Sequence, residues 1–192
     1  MNVCVFAASS SRIDEKYSRA ASELGALLAE AGMHILYGGG GIGLMGNLAD
    51  SALKKGGSIT GVIPDFMVSE GWAHDLVTDM VVTPDMGERK RWLFDKTDAV
   101  IVLPGGIGTL DELTEAITLK QLGLYKGPII IINISGFYNT FIEFIDQLVA
   151  GHFLRLEHKD IWEIVNTPEE AISALKSYKG WLEDPRRIAR IS

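Results

Sequence analysis

Short apolar runs alternate along this chain with longer stretches in which apolar residues return every three or four positions. The runs at 3–7, 34–37, 59–63, 77–82, 99–103 and 129–133 are rich in Val, Ile and Leu, which predicts strands. Several are apolar nearly throughout, the pattern of strands covered by helices on both faces. Between them, windows 14–31, 44–55, 88–96, 110–122 and 139–149 carry helical periodicity. Thr167-Pro168-Glu169-Glu170 predicts the start of a last helix, with Thr167 as cap and Pro168 in the first helical position. Strand runs alternating with helical patterns predict an α/β fold, a parallel sheet flanked by helices on both faces.

Composition narrows the class. At 192 residues the length suits one domain, given roughly 100–200 residues per domain. The hydrophobic fraction is 47% and the charged fraction 22%, the balance of a chain with a sizeable core and not of a disordered one. A net charge of −7 disfavours a nucleic-acid footprint, which needs a basic stripe. Cys4 is alone and cannot form an intrachain disulfide, and the four histidines have no metal spacing, so no metal site is expected. The apolar run at 3–8 is too short for a signal segment, and no stretch reaches the length of a membrane span. A cytoplasmic protein with no membrane partner is the expectation. The tail at 185–192, with Arg186, Arg187 and Arg190, reads as a loosely docked terminus.

Two loops echo each other. Gly40-Gly41-Ile42-Gly43 and Gly105-Gly106-Ile107-Gly108 are the same string, each after a strand and before a helix. That places both at carboxyl ends of strands, where open α/β sheets bind ligands. Glycines let backbone N–H groups approach a guest, and the helix N-terminus behind adds partial positive charge, so phosphate is the expected ligand. The bland alternative is a pair of tight strand-to-helix turns. The first loop fits the dinucleotide spacing G-x-G-x-x-G twice, but it follows the second strand, and the acid after the next strand, Asp65, is poorly placed for a ribose. No Gly-Lys-Ser/Thr follows either string, which excludes a Walker A loop.

Thr109-Leu110-Asp111-Glu112 sits on the second loop. Thr-x-x-Glu is a capping-box signature, with Glu112 reaching back to a backbone N–H. Yet carboxylates beside a phosphate pocket repel the ligand, so Asp111, Glu112 and Glu115 call for compensation or a chemical purpose. Arg89-Lys90-Arg91 can compensate. The triplet has a plain reading as a solvated helix face. It also falls in the first turns of a helix capped by Asp85, where the helix dipole disfavours cations and a bound anion would reverse that.

The string Pro104-Gly105-Gly106-Ile107-Gly108-Thr109-Leu110-Asp111-Glu112 resembles the P-G-G-x-G-T-x-x-E motif of the LONELY GUY (LOG) family, cytokinin-activating phosphoribohydrolases often mislabelled lysine decarboxylases. Residues 37–46, Met86-Gly87-Glu88-Arg89-Lys90, Gln121-Leu122-Gly123, Phe137-Tyr138 and Gly151-His152-Phe153-Leu154 are similar to further family positions, colinear over roughly 1–175. The resemblance implies a single Rossmann-like domain over 1–180 with a tail at 181–192. It implies hydrolysis of the N-glycosidic bond of a nucleoside 5′-monophosphate, AMP or an N6-substituted cytokinin riboside monophosphate, to ribose 5-phosphate and free base. It places the catalytic pair on Arg89 and Glu112. Substrate contacts fall on Lys90, Gly105, Gly106, Ile107, Gly108, Thr109 and Thr118, with Gly39, Gly40, Gly41 and Ser9 in the first loops. It implies a homodimer and no cofactor. Ala7-Ala8-Ser9-Ser10 departs from the family's Cys-Gly-Ser-Ser, and Leu119 stands where a tryptophan is common.

The chemistry suits these residues. Glycosidic cleavage builds positive charge on the ribose, which a carboxylate stabilises. Arg89 can hold the phosphate or orient Glu112. Thr118, six residues beyond Glu112, points roughly 120° away around the helix, so the pocket wraps the helix or Thr118 serves a neighbouring subunit. Three readings compete with the hydrolase. A non-catalytic binder of a nucleotide or phosphorylated cofactor would use the same loops, a dinucleotide oxidoreductase ranks below it, and a pyridoxal-phosphate decarboxylase has no lysine in a dedicated site. Of the histidines, His74 alone is kept as a candidate for a role beyond structure.

Overall fold

The computed structural model describes residues 1–182 and 184–189. Among them, seven strands form one sheet: β1 (Asn2–Phe6), β2 (His34–Tyr37), β3 (Ile59–Pro64), β4 (Met80–Thr83), β5 (Ala99–Val102), β6 (Ile129–Ile132) and β7 (Glu163–Val165). Their order is β4-β3-β2-β1-β5-β6-β7, and every neighbouring pair is parallel. The chain winds outward from β1 to β4, then returns to the other side of β1 with β5. The switch point therefore lies between the carboxyl ends of β1 and β5, where such sheets open a crevice.

The helices are α1 (Glu15–Glu30), α2 (Gly43–Lys54), α3 (Asp65–Ser69), α4 (Met86–Lys96), α5 (Ile107–Gln121), α6 (Asn139–Ala150), α7 (Pro168–Ser177) and the short α8 (Arg186–Ala189). Alternation along the strands divides the core in two. Val3 and Val5 face one cluster with Leu24 and Leu28 of α1 and Leu48 of α2. Cys4 and Phe6 face the other, with Leu93 of α4 and Leu113 and Ile117 of α5. Both faces of the sheet are covered, which is why its strands read as continuous apolar runs. Among the described residues no helix is long and apolar enough to cross a membrane.

Three local expectations change. The run at 77–82 is a strand only from Met80, because Gly61 of β3 first finds its partner there; Val77 is buried in the core from the preceding loop. The helix after the second glycine loop begins at Ile107, three residues earlier than its apolar pattern. The tail is not loose where it is described: Pro185 is buried, and Arg186 Nε donates to the Leu122 carbonyl at 3.2 Å, beyond the last residue of α5. Arg190 lies outside the described residues. Sequence patterning gave no sign of α3, of β7, or of the 3-10 turns Ile134–Gly136 and Leu156–Ile161.

Candidate active site

Two helices start in the glycine loops, and neither has a side-chain cap: the N-cap residue is Ile42 for α2 and Gly106 for α5. By contrast Asp14, Asp85 and Thr167 cap α1, α4 and α7 through their side chains. An uncapped N-terminus leaves its first N–H groups for another partner. In α2 that partner is the chain itself. The Ala8 carbonyl accepts from Leu44 and Met45 at 2.9 and 3.3 Å. Gly43, at φ +69°, allows this closure, since a Cβ there would lie 2.6 Å from the Ser9 carbonyl carbon. Gly41 N–H is taken by the Trp72 carbonyl at 3.1 Å, and Gly39 and Gly40 pack against Ile63 and Met45. The identical strings thus differ by one residue in register, Ile42 preceding its helix and Ile107 opening one.

At the N-terminus of α5, Gly106, Ile107 and Gly108 are exposed, whereas Thr109 is buried with its side chain folded over Gly105. Because Thr109 lies inside the helix, the capping box does not form. Glu112 instead turns inward, 7% exposed, and its Oε1 accepts from Arg89 Nη1 of α4 at 2.7 Å. Arg89, equally buried, donates its Nε to the Val62 carbonyl of β3 at 2.9 Å. The guanidinium is therefore pinned by two bonds of different directions, a geometry that a lysine cannot reproduce. Lys90, beside it, bridges Asp111 and Glu115 at 3.0 and 2.7 Å. The basic pair of α4 thus offsets two of the three carboxylate charges of α5, across the helix interface.

Burial pushes the Glu112 carboxyl up from its ordinary range, and the charge and hydrogen bond of Arg89 pull it back without cancelling that. The result is a buried carboxyl beside a helix N-terminus without a side-chain cap, one group to manage protons or cationic charge and another to hold an anion. Thr118 is not part of this grouping within one chain. It is exposed, and its hydroxyl donates to the Thr114 carbonyl at 2.8 Å. Ser9 is exposed beside Gly43. Asp65 opens α3 as an exposed residue.

His74 is structural in part. Its Nδ1 accepts from Leu76 N–H at 3.1 Å, which leaves the proton on Nε2, 3.2 Å from Asp50 Oδ1. The ring ties the 72–76 loop to α2 along a cavity of about 370 Å³ behind the first glycine loop. Sequence reasoning missed two participants in the site. Gly38 lies under Arg89, where a Cβ would come within 2.4 Å of Nη2. The Val62 carbonyl is backbone and has no residue signature.

Comparisons with known proteins identify the family. A family model described as a possible lysine decarboxylase matches residues 45–175. The cytokinin riboside 5′-monophosphate phosphoribohydrolase LOG5 of Arabidopsis thaliana is 36% identical over 177 residues, 92% of this chain and 78% of its own. LOG of Oryza sativa subsp. japonica, which bears the same activity in its name, is 38% identical over 176 residues, 92% and 73% respectively. Among solved structures, the molybdenum cofactor binding protein of Rippkaea orientalis has a TM-score of 0.70 at 22% identity, covering 92% of this chain and 95% of that one. The molybdenum cofactor carrier protein of Chlamydomonas reinhardtii has a TM-score of 0.70 at 23% identity, covering 91% and 95%. These two structures speak for the fold alone. Fold and site define a doubly wound α/β protein of Rossmann type. Its sequence relatives narrow that class further: this chain belongs to the LOG family.

Proposed function

We propose that the protein hydrolyses the N-glycosidic bond of a nucleoside 5′-monophosphate carrying an adenine-type base, AMP or an N6-substituted analogue, with Glu112 and Arg89 at the centre. The carrying observation is the buried Glu112 carboxyl, bonded to Arg89 at 2.7 Å beside an uncapped helix N-terminus. In this reading the amides of Gly106, Ile107 and Gly108 hold the 5′-phosphate, and that remote binding energy positions the glycosidic bond. The Arg89 contacts favour the orienting role over direct phosphate binding. As the C1′–N bond breaks, its electron pair leaves with the base, and Glu112 stabilises the cationic ribose. Water then adds to C1′, and the proton it sheds balances the one the departing base takes up, giving ribose 5-phosphate and neutral free base. Lys90 is shared by Asp111 and Glu115 and offsets one of their two charges, which reduces the repulsion an approaching phosphate meets.

The names of the relatives support the same reaction. The reading includes a homodimer, in which the outer face of α5, with exposed Thr118 and Leu122, meets a second copy. Sedimentation equilibrium gives a dimer mass if this is right and a monomer mass if it is not.

The decisive assay is release of free base from AMP, isopentenyladenosine monophosphate and adenosine, followed by chromatography. Release from a monophosphate and not from adenosine is expected, and Glu112→Gln should lower it by about 10²–10⁴-fold. Binding of the nucleotide with no release would identify a non-catalytic binder.

A further inference from the structure

The second glycine loop hangs from a place where the sheet has given up a regular bond. Leu103 N–H donates to the Phe6 carbonyl of β1 at 2.9 Å. In a regular parallel ladder, the N–H of Ala8 would next reach the Leu103 carbonyl. It does not: Ala8 N–H goes to the Pro104 carbonyl, at 3.2 Å. The Leu103 carbonyl, one residue before Pro104-Gly105-Gly106, is thereby released from the ladder at a fully buried residue. A buried carbonyl needs a donor.

The donor comes from 35 residues further along the chain. Tyr138, 1% exposed, gives its hydroxyl to the Leu103 carbonyl at 2.7 Å. The turn after β6 is built to deliver that hydroxyl. Asn133 Oδ1 accepts the Tyr138 N–H at 2.7 Å, and Asn133 Nδ2 donates to Asn139 Oδ1 at 2.9 Å. Ser135 and Gly136 adopt left-handed backbone, at φ 52° and 75°, to turn the chain between them. Edge-to-face contacts with Phe137 and Phe141 fix the ring.

We infer that Tyr138 is a positioning residue for the phosphate-binding loop, its hydroxyl replacing the missing ladder bond and holding Gly105–Gly108 in binding geometry. The binding half of this inference rests on the reading above; the loop half does not. A tyrosine that merely fills the core would do the same work as phenylalanine. A tyrosine that braces the loop would not.

Tyr138→Phe keeps the ring and removes the donor. Hydrogen exchange in the free protein at the two amides bonded to the loop's carbonyls, Ala8 N–H on Pro104 and Leu110 N–H on Gly106, should speed up by about tenfold, the size expected when a buried acceptor loses its donor. Exchange in β1 should stay unchanged. For a protein that cleaves monophosphates, KM should rise by a similar factor with kcat within about twofold, the signature of lost uniform binding. The affinity for ribose 5-phosphate, titrated calorimetrically, should fall in parallel. Unchanged exchange at these two amides overturns the inference, whatever the ligand results. If the parent protein binds no ribose 5-phosphate, the functional reading fails, and the exchange data still decide the brace. Should Tyr138→Phe not fold, Asn133→Ala, which loosens the turn while keeping the hydroxyl, is expected to shift exchange at the same amides in the same direction.

Discussion

Gly38 lies directly beneath the guanidinium of Arg89, so close that a Cβ at position 38 would stand 2.4 Å from Nη2 and 2.9 Å from Met45 Sδ. Arginine side chains ordinarily step aside, but this one is held by the Val62 carbonyl on one nitrogen and by Glu112 on another. The glycine run after β2 therefore makes room for the Arg89–Glu112 pair, and in the proposed function the phosphate falls to the other loop.

Gly38→Ala is accordingly expected to displace Arg89 and lower kcat/KM for monophosphate cleavage by about 10²-fold, the loss typical of a misplacement near 1 Å. Steady-state kinetics of base release check it. Unchanged kcat/KM in a folded Gly38→Ala protein would mean that the Arg89 position is not needed.

Glu112 predicts a pH profile. A carboxyl raised by burial is ionised only above its elevated pKa. If the ionised form stabilises the ribose cation, activity is present above that pKa and lost as pH falls through it. The acid limb of kcat/KM should then lie above the ordinary glutamate value of about 4.3. Arg89→Met removes the charge that pulls the carboxyl down, so the Glu112 titration should move further up. Carboxyl-carbon NMR of both proteins reads the shift, and a Glu112 titrating at or below 4.3 in the parent protein would contradict it.

Lys120 predicts a pH-dependent stability. It is buried on α5, its ammonium 4.8 Å from the centre of the Tyr178 ring, and burial pushes its pKa down to about 8. In the unfolded chain a lysine titrates near 10.4. Between those values the unfolded state binds more protons, so stability rises with pH from about 8 to about 10.4. Lys120→Met should raise Tm most at or below neutral pH, with the gain shrinking as pH climbs through that window. A gain independent of pH would show that packing alone is responsible.

Much of the fold was legible because the sheet is covered on both sides. Ile129–Ile132, all isoleucine, could hardly be anything but an interior strand. The pairing of Glu112 with Arg89 was legible because an acid beside a glycine loop called for a compensating base. What escaped were interactions that belong to backbone or to distant turns. The Thr109–Glu112 spacing suggested a capping box, and tertiary pairing with Arg89 took Glu112 instead. The two Gly-Gly-Ile-Gly strings looked equivalent, yet the Ala8 carbonyl fills one helix N-terminus, and no local pattern announces that. The tail looked unattached because Pro185 and Arg186 find their partners at the end of a helix more than sixty positions earlier.

The position of β1 has a consequence for biosynthesis. The earliest of the seven described strands in chain order is the middle of the sheet, bonded to β2 on one side and to β5 on the other. Its first residue, Asn2, also bonds to Lys96 and Asp98, more than ninety positions ahead. Until residue 102 has been synthesised, one edge of β1 stands open, an apolar template for wrong partners. That edge therefore stays uncovered through the whole interval between the synthesis of β1 and that of β5, and a chain cut short before β5 would be an aggregation-prone half-sheet.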